Sequence, residues 1–314
     1  MKYYLGMDIG GTKCSVVLSE KNSNKIKAKI RFDTRVERGH EEIIGQLISS
    51  AASLMSENGV SKEDVICCGV SCGGPLDGER GIIMRPPNLP DWDNVSLSQI
   101  VTDSLGVPCK ICNDADACAL AEWQFGAGKG TKNMIFLTFG TGMGAGLILN
   151  GRLYSGSTGT AGEVGHIRLD SDGPVGYGKA GSFEGFCSGG GIANMAKKIL
   201  DLNHEETVLD RNAVTAKSVA EGARDGDRIA LMIMKKCGEK LGLGLSVLID
   251  ILNPEKIVIG SIYQRSGDLL RDYMYDVIGK EALPVNASAC EIVPAMLGDD
   301  IGDYAAIGVA AMGN

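Results

Sequence analysis

The sequence predicts an α/β protein of two lobes, and three observations carry that prediction. Apolar runs of strand length alternate with segments of helical periodicity along the chain. A strand, a glycine-rich turn and a second strand occur at the start, and the same grammar begins again at Met134. The length, 314 residues, exceeds what one hydrophobic core usually organises.

The elements read in order as follows. Tyr3 to Met7 is an apolar strand, followed by a glycine-rich turn and strands from Cys14 to Leu18 and Lys27 to Phe32. An amphipathic helix runs from about Glu41 to Glu57, and Val65 to Ser71 reads as a buried strand. After the proline-rich loop Arg85 to Pro90 come a helix ending near Leu105, a strand from Cys109 to Cys112, and a helix opening at Asp114. The second half holds strands Met134 to Thr138 and Ala145 to Leu149 around the turn Phe139 to Gly144. Long helices follow, above all Asp227 to about Ile251, then strand Ile257 to Ile259 and a terminal helix from about Asp303 to Met312. The expected first lobe is 1–115, completed by the C-terminal helix at 300–314, and the larger lobe is 116–299.

Composition narrows the function. The net charge is -8, from 39 acidic and 31 basic residues without a run of like charges, so no electrostatic footprint for nucleic acid or an anionic membrane is present. Charges or glycines interrupt every apolar stretch before it reaches membrane-spanning length, and Met1 to Leu5 is too short for a signal-peptide core. A cytoplasmic protein acting on small molecules is expected. Its ten cysteines then read as reduced thiols standing mostly where small apolar residues would. The Cys109 and Cys112 spacing suggests a redox or metal pair, but no second pair or histidine lies nearby to complete one.

The 44 glycines cluster at the ends of apolar runs, where the chain must turn tightly or approach a ligand. Asp8-Ile-Gly-Gly-Thr-Lys13 follows a strand and leads into another, so it is neither a Walker loop nor a Rossmann fingerprint, both of which open a helix. Its reading is a hairpin whose tip is backbone. Gly10 and Gly11 let successive N–H groups face one concavity, a nest for anionic oxygens; Thr12 adds a hydroxyl, Lys13 a charge, and Asp8 a carboxylate that can hold Mg²⁺ through water. Taken alone, the same residues also describe an ordinary turn. Thr138-Phe-Gly-Thr-Gly-Met-Gly144 repeats the arrangement, with Gly140, Thr141 and Gly142 at its tip. Two such hairpins suit the phosphates of a nucleotide, because phosphoryl transfer asks the protein for positioning and charge stabilisation above all.

With both hairpins placed, the chain resembles the ROK family of sugar kinases and repressors along nearly its whole length. The matching segments stand in family order: Asp8 to Lys13, Gly73-Gly-Pro-Leu-Asp77, Asn88-Leu-Pro-Asp-Trp92, Asn113-Asp114, Thr138 to Gly142, Gly162-Glu-Val-Gly-His166, Glu184, and Ile257-Val-Ile-Gly260. The resemblance implies the actin-like (ribonuclease H-like) duplicated fold, with ATP and sugar meeting in the interdomain cleft. It assigns Asp114 as the general base, although a carboxylate at a strand-to-helix junction also reads as a helix N-cap. It assigns Gly74, Asn88, Asn113, Asp114, Glu163, His166 and Glu184 to the sugar. Gly260 and Ser261 fall to the adenosine side, where relatives often pair two glycines.

One departure stands out. Relatives of the usual kind carry three cysteines after the Gly-Glu-x-Gly-His motif that hold a structural zinc with the histidine. The corresponding positions here are Val175, Tyr177 and Ser182, none of them a ligand for a tetrahedral Cys₃His site, so no structural zinc is expected.

The resemblance thus implies a kinase of glucokinase or hexokinase type: a hexose and MgATP give hexose 6-phosphate and ADP. A fructokinase or an N-acylhexosamine kinase of the same family is the near alternative. A family repressor carries a helix-turn-helix before the first hairpin, whereas Asp8 lies a few residues from the start, and a non-catalytic sugar sensor is expected to show damage in the hairpins or at Asp114. Relatives are commonly dimers, and a homodimer is expected by the same resemblance.

Overall fold

A computed structural model of the chain describes residues 1–202 and 205–313. It divides into two compact units, the first formed by 1–129, 155–159 and the segment from Met296 onward, the second by 130–154 and 160–295.

The first unit is built on a five-stranded sheet with helices packed against it. In chain order its elements include β1 (Tyr3–Ile9), β2 (Lys13–Glu20), β3 (Ile26–Asp33), α1 (His40–Glu57), β4 (Val65–Cys72), the short strands β5 (Leu76–Asp77) and β6 (Ile82–Ile83), α2 (Leu97–Leu105), β7 (Cys109–Asn113) and α3 (Asp114–Gln124). The main sheet has the order β3-β2-β1-β4-β7; β1, β2 and β3 are antiparallel neighbours, whereas β4 and β7 join parallel to β1. β4 is buried along almost its whole length, as an apolar strand covered on both faces should be. α1 covers one face because Ile43, Ile44, Leu47, Ala51, Leu54 and Met55 recur at helical spacing and are all buried.

The second unit repeats the plan: β8 (Met134–Phe139), β9 (Met143–Leu149), β10 (Arg152–Leu153), the hairpin β11 (Val175–Gly176) and β12 (Lys179–Ala180), α4 (Phe183–Phe186), α5 (Gly189–Leu202), α6 (Ala216–Arg224), α7 (Arg228–Leu252), β13 (Lys256–Ile259), α8 (Ile262–Glu281), α9 (Pro284–Ala289) and β14 (Glu291–Pro294). Its sheet order is β10-β9-β8-β13-β14, with the same antiparallel triplet and the same two parallel additions. The duplication expected from the sequence is therefore present in the strand order. α7 begins where Asp227 caps it by accepting the Ala230 N–H at 2.8 Å, and ends at Asn253, whose φ of 42° precedes Pro254. Gly238 and Gly242 let α8 approach: a Cβ on Gly242 would lie 2.5 Å from the Met274 carbonyl oxygen.

The chain then returns to the first unit as α10 (Ile301–Ala311). It crosses β1 and β4 at Gly6 and Gly69, and a Cβ on Gly69 would fall 2.2 Å from backbone atoms of Ala306 and Ala310. The first unit extends past residue 115, where the sequence reading ended it, because α3 packs on α10, with Gly308 against Leu120. The short segment 155–159 also belongs to it, where Ser155 Oγ donates to Asp116. Among the described residues no helix is long and apolar enough to cross a membrane.

Candidate active site

In the first unit the β1–β2 turn closes through the Gly10 N–H, which donates to the Lys13 carbonyl at 3.1 Å, and Thr34 Oγ1 donates to the Gly10 carbonyl at 2.6 Å. The N–H groups of Gly11 and Thr12 find no partner among the described residues and are available to an anionic oxygen. Gly11 is glycine for a steric reason: a Cβ there would sit 2.8 Å from Cβ of Asn88. Asn88 Nδ2 in turn approaches the position of a Cβ on Gly73, at 3.6 Å, so the structure gathers Gly11, Asn88 and the turn at Gly73 and Gly74. Gly74 joins Pro75 through a cis peptide bond.

Asp8 is the penultimate residue of β1, half-buried, with its carboxylate beside Gly302 and next to Ser71, Asp303 and Arg31. Burial is the main cause that lifts its pKa to about 6; Ser71 opposes it by a hydrogen bond, Asp303 and Asp114 add repulsion, and Arg31 draws it back down. Asp8, Lys13, Ser15, Lys29, Arg31 and Asp303 line a cavity of about 60 Å³. Asp303 and Ser15 are both buried; Asp303 accepts from Ser15 Oγ at 2.7 Å and pairs with Lys29. Sequence reasoning placed Asp303 at the start of the terminal helix but gave it no role, although Asp299, Asp300 and Asp303 lie close together there.

The junction of β7 and α3 shows which residue caps the helix. Asn113, not Asp114, is the N-cap: its Oδ1 accepts the Asp116 N–H at 2.8 Å. Asp114 is the first helical residue; one of its oxygens accepts the Ala115 N–H at 2.9 Å. Its side chain is open to solvent, yet the protein around it removes enough hydration to raise its pKa, with the Ala115 N–H opposing. The Asn113 amide is thereby committed to the helix. Cys109 and Cys112 lie three residues apart on one strand, so their side chains emerge on opposite faces.

The second unit holds the other group. The Gly140 N–H donates to the Gly142 carbonyl at 3.1 Å, the counterpart of the Gly10 contact, and the Thr141 and Gly142 N–H groups are again without a partner among the described residues. The Thr138 hydroxyl is spent inside its own hairpin, on the Gly144 N–H at 2.9 Å. The tip is seated on the first turn of α5, where Gly189 N–H donates to the Gly140 carbonyl at 2.7 Å; sequence reasoning did not assign this run of glycines. Glu184 reaches the same turn: its Oε2 accepts the Met143 N–H at 3.0 Å and would lie 2.8 Å from a Cβ on Gly142. Ser261, at the start of α8, lies against Gly140 with φ of 50°, a backbone state that glycine adopts freely and serine rarely. Gly260 precedes it, fully buried at the end of β13. Glu163 and His166 are both exposed, and the His166 ring meets Tyr177 edge-on.

Each unit thus presents a glycine turn with N–H groups unpartnered among the described residues, and the first also carries the carboxylates of Asp8 and Asp114. The ROK family model matches residues 4–313. The chain belongs to the ROK family. Among the relatives of this ROK chain is a glucokinase of Thermotoga maritima, 32% identical over 303 residues and covering 95% of this chain and 94% of the relative. A xylose repressor of Caldicellulosiruptor bescii is 27% identical over 282 residues, covering 88% and 70%. A solved ROK glucokinase of Streptomyces griseus, in complex with glucose and AMPPNP, is 28% identical with a TM-score of 0.75 and covers 98% and 99%. The actin-like fold is thereby shown for this ROK chain.

The residues fit Mg²⁺ held through water, because Asp8 is a half-buried carboxylate beside the β1–β2 turn, and a carboxylate oxygen is the donor such a hard cation takes. They do not fit a structural zinc at His166. Val175 and Tyr177 are exposed, and Ser182 is buried with its hydroxyl on the Gly185 N–H at 3.1 Å. Among the described residues no group of three or more His, Cys, Asp or Glu side chains is placed to hold a metal.

Proposed function

We propose that this protein is an ATP-dependent hexose kinase of glucokinase type, transferring the γ-phosphoryl group of ATP to the primary 6-hydroxyl of a hexose. The observation that carries the reading is Asp114. Its neighbour Asn113 has taken over the helix cap, so one carboxylate oxygen remains for a substrate hydroxyl at the first turn of α3. A sugar hydroxyl is far less acidic than a carboxylic acid, so Asp114 orients the hydroxyl and accepts its proton late, as the oxygen bonds to phosphorus. The two nests supply backbone donors to the phosphate oxygens, with Thr12 and Lys13 on one and Thr141 on the other. Asp8 would hold Mg²⁺ through water, and the ion neutralises charge on the phosphates. Asn88, Glu163, His166 and Glu184 read the sugar hydroxyls, and a site that satisfies each one rejects an analogue lacking one. Gly260 and Ser261 lie on the adenosine side.

The glucokinase relatives and the glucose- and AMPPNP-bound structure support this reading. A cytoplasmic location and a homodimeric state belong to the same proposal, and sedimentation velocity tests the latter. N-acylated hexosamines and fructose are the alternative acceptors. The repressor relative favours a second reading, a sugar-binding regulator without turnover. Coupled measurement of ADP release over a panel of hexoses, amino sugars and N-acyl amino sugars decides between them. Turnover of one sugar that vanishes in Asp114→Asn supports the kinase; sugar binding with no ADP release from any of them supports the regulator.

A further inference from the structure

The loop that follows His166 contains a residue that its own turn does not select. β11 and β12 are joined by two residues, Tyr177 and Gly178, with φ of 45° and 76°. A two-residue hairpin turn with both φ values positive favours asparagine, aspartate or glycine at its first position, and a tyrosine is strained there. Burial does not explain the choice, since Tyr177 is 78% exposed. What the conformation achieves is a contact: the Tyr177 ring stands edge-on to the His166 ring, centroids 5.1 Å apart and planes at 82°. Two residues on, Lys179 holds the same histidine through its backbone, Nζ donating to the His166 carbonyl at 2.6 Å.

The hairpin is fastened to the strip that carries His166. Arg168 donates to the Ala180 carbonyl at 2.6 Å, and the Leu169 and Asp170 N–H groups both donate to Gly181. Asp170 is tied to α7 through Lys240, which is buried, at 2.7 Å. The hairpin that presents Tyr177 is thus hydrogen-bonded to the strip that carries His166.

We propose that the Tyr177 hairpin is a metal-free positioning device for His166: Tyr177 fixes the ring, Lys179 fixes the backbone, and the strain in the turn is kept because it sets a sugar-binding side chain. Tyr177 is thus a positioning residue for sugar recognition. The proposal rests on the reading of His166 as a sugar contact. A device of this kind has a signature that a structural role lacks, because relieving the strain should stabilise the turn and weaken the sugar site together.

The test compares the parent with Tyr177→Asn, which suits the turn and lacks the ring, and Tyr177→Phe, which keeps the ring. Sugar affinity is measured calorimetrically without nucleotide over glucose, mannose, fructose and N-acetylated hexosamines, together with steady-state KM values and thermal unfolding. The asparagine variant is expected to bind the preferred sugar about fivefold more weakly, the scale of one modest contact. Its KM for MgATP stays at the parent value and its unfolding midpoint is equal or higher, while the phenylalanine variant matches the parent. Proton NMR of the histidine ring signals, of which the chain has three, adds a readout independent of turnover. The His166 signal, assigned with His166→Gln, should move in Tyr177→Asn and stay in Tyr177→Phe. Unchanged sugar affinity in Tyr177→Asn, an unmoved His166 signal, or stoichiometric zinc by elemental analysis overturns the proposal. If the parent neither binds nor phosphorylates any sugar, the kinase reading fails, and the His166 signal still decides whether Tyr177 sets the ring.

Discussion

Asn113 accepts the Asp116 N–H at 2.8 Å, and this bond caps α3 without the Asp114 carboxylate, the proposed base. Asp114→Asn should therefore lower kcat by about 10²- to 10⁴-fold, the usual contribution of a positioned general base, with little change in the unfolding midpoint. Asn113→Ala should do the reverse in stability, losing about 1 kcal/mol with the cap, and should lower kcat through the altered start of the helix. Parallel kinetics and urea melts of the two variants separate these effects. An Asp114→Asn enzyme as fast as the parent would remove the proposed base.

Asp8 ties activity and stability to pH in opposite senses. Its folded pKa, about 6, lies above that of an unfolded aspartate. The folded state binds the proton more tightly, so stability falls as pH rises between about 4 and 6. Asp8→Asn removes that penalty and should be more stable than the parent at pH 7 by about 1–3 kcal/mol, a gap that closes in acid. Activity runs the other way: kcat/KM should drop as pH falls through about 6, because protonated Asp8 cannot hold the cation. Raising Mg²⁺ should move that acid limb to lower pH, whereas an acid limb indifferent to Mg²⁺ would detach Asp8 from the metal.

The parts of this protein legible in sequence are those whose signal is local. Both glycine turns, the buried strands and α7 could be read because burial on two faces or along one helical stripe writes a periodic pattern. β14 was not legible, being a four-residue edge strand that ends in Pro294, where a missing donor is tolerated. Nor was the opening of α5 on Gly189, Gly190 and Gly191, a poor helix start by propensity. Gly191 is required because a Cβ there would lie 2.2 Å from the Gly185 carbonyl oxygen. The cap at Asn113, the Glu184 bond to Met143 and the Gly302 contact with Asp8 depend on backbone path or on residues remote in sequence, which spacing does not encode.

Glu184, proposed for the sugar, touches the turn proposed for phosphate, so the two proposed roles should be coupled through it. A Cβ on Gly142 would lie 2.8 Å from Glu184 Oε2, so Gly142→Ala must displace the carboxylate from the Met143 N–H. That substitution should raise KM for both sugar and MgATP, by about tenfold each if a charge-assisted hydrogen bond is lost on each side. Glu184→Gln keeps an acceptor for the Met143 N–H, and should raise the sugar KM while sparing that for MgATP. Steady-state kinetics with each substrate varied in turn checks the contrast, and equal effects of the two variants on MgATP would refute the coupling.

Gly302 offers a way to move Asp8 without altering its chemistry. A Cβ at this position would lie 2.4 Å from Asp8 Oδ2, closer than any real contact, and the obstacle is the end of a side chain that can swing aside. Alanine is also the better helix former, so the first turn of α10 gains a few tenths of a kcal/mol in propensity while the carboxylate is pushed away. Gly302→Ala should therefore fold near parental stability, yet need several times more Mg²⁺ for half-maximal rate, roughly the cost of one misplaced charged contact. Sugar affinity, measured calorimetrically without nucleotide, should not change, because no sugar-assigned residue touches Gly302. If Mg²⁺ titration of the rate gave the parental midpoint, Asp8 would not be the group that holds the cation.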